Sequence, residues 1–201
     1  MSRDFVSLVL LIALCIVVAQ AQTQGWSLNN ETRVIIHRFQ QYLQIKTVQP
    51  TPDYQTAVSF IKKFAEEVIG LLVKVIEPVA GKPIVIIEWK QKNAAEKNQE
   101  KSILLSSHMD VVPVDDSKWK YEPFEAHYEL ETGHIFGRGA QDMKCVGMQY
   151  LEAIHVLKNK KHIEPKRPVY VVFVPDEEIG GKDGIAQLVK SKEFEEKKNK
   201  L

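Results

Sequence analysis

Residues 169–174 read Val-Tyr-Val-Val-Phe-Val, six β-branched and aromatic side chains in succession, and the run stops at Pro175. A strand with one face in water alternates polar and apolar residues. A run without alternation has to be covered on both faces, which is the pattern of a central strand in a parallel sheet. Two covered faces require helices, and the rest of the chain supplies candidates for them. Residues 31–45 place Ile35, Phe39 and Tyr42, flanked by Ile36 and Leu43, on one face at helical spacing. After the turn signals Pro50, Pro52 and Asp53, the residues Ala57, Ile61, Phe64 and Val68 recur at the spacing of a second amphipathic helix. Residues 142–158 are apolar nearly all round, with Val146, Tyr150, Ala153 and Leu157 on one side and Leu151 and Ile154 beside them, as in a sandwiched helix.

Two extended runs, 73–76 and 84–89, are separated by Pro78, Gly81 and Pro83 and read as a strand pair joined by a turn. Beyond the polar loop 90–101, residues 103–107 read as a short buried strand that runs into His108. Helices interleaved with apolar strands predict an α/β fold, a mixed sheet flanked by helices. The charged stretch 190–201 reads as a solvated helix end. With 27 Lys and Arg against 26 Asp and Glu, the chain carries no excess charge for binding nucleic acid electrostatically.

The amino terminus is set apart. Arg3 precedes an almost wholly apolar run at residues 5–18, followed by Ala19-Gln20-Ala21, the small-x-small pattern of a signal peptide cleaved after Ala21. The run is too short for a comfortable membrane span, which takes about 20 apolar residues. Residues 1–21 are therefore expected to be removed. The product would be secreted, not held in a membrane, and would keep Cys145 but not Cys15, so that no internal disulfide can form. Asn30-Glu31-Thr32 is a glycosylation sequon, and Asn30 also suits a helix N-cap.

Residues that carry chemistry cluster just past the apolar runs. His108-Met109-Asp110 follows the strand 103–107, Asp142 opens the helix 142–158, and Asp176-Glu177-Glu178 follows the strand 169–174. Ligands of open α/β sheets bind at the carboxyl ends of the strands, so three separate segments point to one crevice, a candidate metal site. In His-x-Asp on extended backbone the two side chains share a face. Asp110 can then accept one imidazole N–H while the other ring nitrogen of His108 faces a metal. Adjacent glutamates on an extended turn point apart, so one can bind metal while the other reaches a water. A carboxylate can also bridge two cations about 3.5 to 4 Å apart, as two-metal hydrolases require, and Asp142 is the candidate. Asp142 is equally placed to be no more than a helix N-cap. His37, His127, His134, His155 and His162 stand alone and read as surface or core side chains. Gly137-Arg138-Gly139 opens like a dinucleotide fingerprint, but Asp142 takes the place of the third glycine, where its charge would oppose a pyrophosphate. The glycines read better as a sharp turn that faces Asp142 inward.

Taken together, the segments Ser107-His108-Met109-Asp110-Val111-Val112-Pro113-Val114, Trp119, Pro123-Phe124-Glu125-Ala126, Gly137-Arg138-Gly139-Ala140-Gln141-Asp142-Met143-Lys144-Cys145-Val146 and Val174-Pro175-Asp176-Glu177-Glu178-Ile179-Gly180-Gly181 resemble the di-zinc aminoacylase and carboxypeptidase family, and within it the aminoacylases. The resemblance spans roughly residues 30–195. It implies a zinc-exopeptidase-like catalytic domain that hydrolyses N-acyl-L-amino acids to a free amino acid and a carboxylate, with dipeptide or carboxypeptidase substrates as the alternative within the family. It implies two Zn2+ ions per complete site, with His108, Asp142 and Glu178 as metal ligands, Asp142 shared between the ions, Glu177 as general base and Asp110 as the partner that orients His108. It also implies that residues 22–201 are the amino-terminal part of that domain, incomplete at the C-terminus. The remaining metal ligands and the family's dimerisation domain would lie beyond Leu201. The 201-residue chain alone would then be inactive, or be a non-catalytic secreted relative, and homodimers would be expected of a longer protein only. Aminoacylases are usually cytoplasmic, so the leader at residues 1–21 departs from the family pattern.

Overall fold

The computed structural model describes residues 28–91 and 101–198 of the chain. The expected leader, its cleavage point after Ala21 and most of the polar loop 90–101 lie outside the described residues. Asn29 opens helix α1 (Asn30–Gln44), its side chain accepting the N–H of Thr32 at 2.8 Å. The cap is thus one residue earlier than expected. Asn30 stands exposed in the first turn, so the cap and the sequon fall on different residues.

Asp53 caps helix α2 (Tyr54–Lys63) through the N–H of Thr56, and hydrogen bonding from the Thr56 side chain and then from its N–H holds the carboxyl below the usual range. Ala57, Ile61 and Phe64 are buried as their spacing predicts, but Val68 is 37 % exposed while Ile69 is buried. The cause is a change of helix type. Residues Phe64–Ile69 form π-helical turns, which take more residues than an α turn, so the inward position after Phe64 falls five residues on instead of four. Gly70, at φ 74°, ends the segment.

Strands β1 (Leu72–Val79) and β2 (Lys82–Trp89) form the expected hairpin. Strand β3 (Ile103–His108) follows, then a small separate hairpin of β4 (His127–Glu129) and β5 (His134–Phe136). Helix α3 (Lys144–His155) precedes β6 (Val169–Val174), and two short helices, α4 (Ile185–Leu188) and α5 (Lys192–Lys198), close the described chain. The main sheet has the order β1-β2-β6-β3, with β6 parallel to β3 and antiparallel to β2. The fold is therefore α/β, a mixed sheet flanked by helices.

All six residues of β6 are buried, as the unbroken run demands. Its alternate side chains feed two cores. Val169, Val171 and Phe173 pack with Val85, Ile87 and the inward residues of α1, α2 and α3, while Tyr170, Val172 and Val174 pack with Ile84, Ile86 and Leu188. β3 differs from expectation: among the described residues it is flanked by β6 alone and lies at the sheet edge, with Ile103 and Leu104 exposed. α3 is also less enclosed than its composition suggests. Gly147, Met148, Leu151 and Ile154 face the core while Ala153 is exposed. Gly147 lies so close to β6 that an added Cβ would meet Phe173 Cε1 at 2.4 Å, which keeps the helix tight against the sheet. Among the described residues no helix is long and apolar enough to cross a membrane.

Lys144, wholly buried, ties α3 to α1 by donating from Nζ to the carbonyl oxygens of Tyr42 at 3.0 Å and Ile45 at 2.6 Å. These belong to the end of α1, where each also accepts a backbone N–H, from Ile45 at 3.3 Å and from Thr47 at 2.9 Å, and the ammonium is a second donor to each. Burial pushes the Lys144 ammonium from 10.5 down to about 7. For a lysine depressed in the fold, the cost of burying its charge grows as pH falls from the free value towards the folded one. His108, raised from 6.5 to about 9, acts in the opposite sense, its contribution being full below 6.5 and lost as pH rises through about 9. Comparison with Lys144→Met cancels the histidine. Denaturant melts should show wild type losing about 2 kcal/mol relative to Lys144→Met between about pH 9 and about pH 7. A pH-independent difference would mean that Lys144 keeps its charge throughout.

Candidate metal centre

The parallel strands β3 and β6 end level with each other, His108 opposite Val174, and the chains remain paired one step further through the N–H of Met109 and the carbonyl of Val174 at 2.9 Å. Because β2 is antiparallel to β6, it starts at this same edge, with Lys82. A third segment enters beside them: residues 47–49 run parallel to 109–111, bonding to both backbone groups of Val111, and carry Gln49 into the crevice. The loop before α3 turns at Gly139, φ 87°, where a Cβ would come within 2.9 Å of Val111 Cγ1. It delivers Asp142 to the opening, the following Asp142–Met143 peptide being cis.

His108, Asp142 and Glu178 each offer one ligand atom, and these atoms lie within 4.8 Å of one another. The imidazole is buried. Its Nε2 lies 3.2 Å from Asp142 Oδ1 and 3.7 Å from Glu177 Oε2, while Nδ1 meets the Asp110 backbone carbonyl at 2.9 Å and the Asp110 carboxylate at 3.5 Å. That carboxylate is fully buried and accepts the N–H groups of Glu177 at 3.0 Å and Glu178 at 3.2 Å and Nε2 of Gln49 at 2.9 Å. Asp110 thus holds the imidazole from one side and the glutamate turn from the other.

Burial alone would lower the His108 pKa, but its bonds to Asp110, the Asp110 charge and Asp142 outweigh this and raise it to about 9. Burial likewise pushes Asp110 up, and the bonds from His108, Gln49 and the Glu177 N–H overcome it and leave the carboxyl low. Glu178 is raised by burial and by the neighbouring charges of Asp142, Asp110 and Glu177. A cation among these carboxylates would relieve that repulsion. One imidazole nitrogen and two carboxylates form a donor set that suits zinc.

The five candidate residues therefore meet at one place, though not in all the expected ways. Glu177 and Glu178 do not lie on an extended turn: they start a 3-10 turn, Glu177–Ile179, after Asp176 in the left-handed region at φ 61°. The cap alternative for Asp142 fails. Met143 holds the N-cap position, no side chain caps α3, and the Asp142 side chain is 77 % exposed. The other histidines stay outside the cluster. His127 stacks on Tyr121, His155 meets Asn159, His134 sits edge-on to Phe136, and His37 and His162 are exposed. Sequence reasoning passes over Gln49, Tyr54 and Lys82, which no local pattern marks and which only the tertiary fold brings to the crevice.

Residues 104–201 match the model of Peptidase family M20/M25/M40. The chain is 46 % identical over 157 residues to aminoacylase-1 of Sus scrofa, an alignment covering 78 % of this chain and 37 % of that protein. It is 41 % identical over 158 residues to aminoacylase-1 of Dictyostelium discoideum, covering 78 % of this chain and 36 % of that one. The alignments thus span little more than a third of these relatives. Among solved structures, the M20 family metallo-carboxypeptidase Sso-CP2 of Sulfolobus solfataricus superposes with a TM-score of 0.63 at 27 % identity, covering 81 % of this chain and 34 % of that one.

Proposed function

We propose that this chain belongs to peptidase family M20/M25/M40 and carries part of the active site of a zinc-dependent aminoacylase, an enzyme that hydrolyses N-acyl-L-amino acids to a free amino acid and a carboxylate. The observation that carries the reading is the convergence of His108, Asp142 and Glu178 from three segments onto one point. Aminoacylase is favoured over carboxypeptidase because the similarity to aminoacylase-1 is 46 %, against 30 % to a probable carboxypeptidase S-like protein of Dictyostelium discoideum.

In this reading His108, Asp142 and Glu178 are the metal ligands. Asp142, whose carboxylate is open to solvent, would be the ligand able to serve two zinc ions. When bound, zinc would supply Lewis acidity, lowering the pKa of a water and polarising the acyl carbonyl. The protein's own groups do the rest. Asp110 fixes the ring of His108 and, through the N–H groups of Glu177 and Glu178, the turn that aims both glutamates at the opening. Glu177 is the general base: it takes a proton from the water whose oxygen bonds to the acyl carbon, then gives that proton to the nitrogen as the C–N bond breaks. The substrate is a small molecule, and nothing in the charge balance calls for nucleic acid. The apolar run 5–18 and the Ala19-Gln20-Ala21 site support export of the protein, and homodimerisation is proposed for a longer form.

The test is an assay of a longer form of the protein that holds the remaining metal ligands, comparing N-acetyl-L-methionine with a dipeptide. The expected result is release of methionine from the acyl substrate, abolished by a chelator and restored by zinc. Faster release from the dipeptide, or none from the acyl substrate by folded, zinc-loaded protein, would overturn the assignment.

A further inference from the structure

Behind the metal centre lies a second layer of charge that the proposed chemistry does not use. Asp176 is almost fully buried, yet it sits in the left-handed region and is surrounded by donors from three elements. Tyr54, first residue of α2, donates its hydroxyl to Asp176 Oδ1 at 2.7 Å and accepts the Asp176 N–H at 2.9 Å. Lys82, first residue of β2, places Nζ 2.9 Å from Oδ1 and 2.8 Å from Oδ2. Gln49 spans the two buried carboxylates with a single amide nitrogen, 3.0 Å from Asp176 Oδ1 and 2.9 Å from Asp110 Oδ2.

An ordered path therefore runs from Lys82 through Asp176, Gln49 and Asp110 to His108, and each step is a direct contact. The arrangement has a physical purpose. Two carboxylates side by side in the interior are costly unless each is paired and bonded. Lys82 offsets the charge of Asp176, which leaves Asp110 free to serve His108 and the two glutamate N–H groups. The bonds to Tyr54 and Lys82 also hold Asp176 in a backbone conformation that L residues seldom adopt, and Glu177 and Glu178 start from that residue.

We infer that Lys82, Gln49 and Tyr54 are positioning residues, which act through Asp176 and Asp110 to set how tightly His108 and Glu178 hold a cation. The inference rests on the ligand assignment made above. Partners in the second layer around a metal typically contribute about 10- to 100-fold in metal affinity. Lys82→Met removes the charge and keeps the chain length at a side chain that is 23 % exposed, so the fold can accommodate it.

The experiment measures Co2+ affinity by equilibrium dialysis and, in metal-free protein, amide hydrogen exchange at Glu177 and Glu178. Lys82→Met and Gln49→Leu are each expected to weaken Co2+ binding about 10- to 100-fold and to speed exchange at those two amides. Lys82→Arg is expected to restore affinity to within about threefold, since its guanidinium can pair with the same carboxylate. Lys74→Met, which removes the exposed pair of β1 with Glu193, should change neither readout. Wild-type affinity in Lys82→Met would overturn the inference, as would a loss that Lys82→Arg does not rescue and that comes with faster exchange throughout the sheet. Wild-type affinity in Glu178→Ala would instead overturn the ligand assignment, so the two failures are distinguishable.

Discussion

Glu177→Gln, made in a longer form of the protein that holds the remaining metal ligands, keeps its metal and loses about 10² to 10⁴ in turnover, the usual contribution of a general base. The two adjacent glutamates have different surroundings. Glu178 offers an oxygen within 4.8 Å of the ligand atoms of His108 and Asp142, whereas Glu177 is not in that group and keeps its side chain 56 % exposed, with Oε2 3.7 Å from His108 Nε2. A ligand must sit among the other donors, and a base must reach a water at the mouth of the site. Glutamine preserves the shape of Glu177 and can still hydrogen-bond, but it cannot take a proton. The loss should fall on kcat, with KM little changed, because the change affects the reacting water and not the binding of the acyl amino acid. Elemental analysis beside the kinetic assay checks the roles: zinc content should match wild type. If zinc leaves together with activity, Glu177 is a ligand and the two glutamates have been assigned in the wrong order.

What the sequence disclosed and what it withheld divide along the range of the interactions. The six buried residues of β6 were legible because a fully covered strand has no polar positions to break its run. The candidate site was legible for a related reason: each of its side chains comes just after such a run or at a glycine turn, and strand ends are where open sheets present ligands. The inward register beyond α2 slipped from Val68 to Ile69 because the helix widens into π turns at Phe64–Ile69 without a change of composition. The edge position of β3 among the described residues was hidden for a different reason, since strand order is a property of the assembled sheet and not of any one strand. Lys144 and Lys82 show the limit most clearly. A lysine is read as surface by default, yet one caps a helix from inside the core and the other pairs with a buried aspartate, across 99 and 94 positions of sequence respectively. Such partners leave no periodic trace.

Asp142→Asn should separate folding from metal binding more sharply than any other change to the site. An aspartate just before a helix invites a capping interpretation, under which asparagine, as good a cap, would change nothing. In the fold Asp142 caps nothing: it precedes the N-cap residue Met143, its side chain is largely exposed, and its contact is His108 Nε2 at 3.2 Å. The substitution removes a negative charge from beside Glu177 and Glu178 and gives up part of an ion pair with His108. These effects oppose each other, and at so exposed a side chain the net change in stability should stay within about 0.5 kcal/mol. Metal affinity has no such compensation. An amide oxygen is a neutral and weaker donor than a carboxylate, and an amide nitrogen does not ligate at all, so a carboxylate shared by two cations loses its function at both. The loss of zinc should exceed the roughly 10- to 100-fold cost of disturbing an outer partner. Denaturant melts of the metal-free protein and dialysis against zinc supply the two readouts. Unchanged melts with zinc lost would establish Asp142 as a ligand. Unchanged melts with zinc retained would remove it from the site and leave His108 and Glu178 to account for any ion that binds.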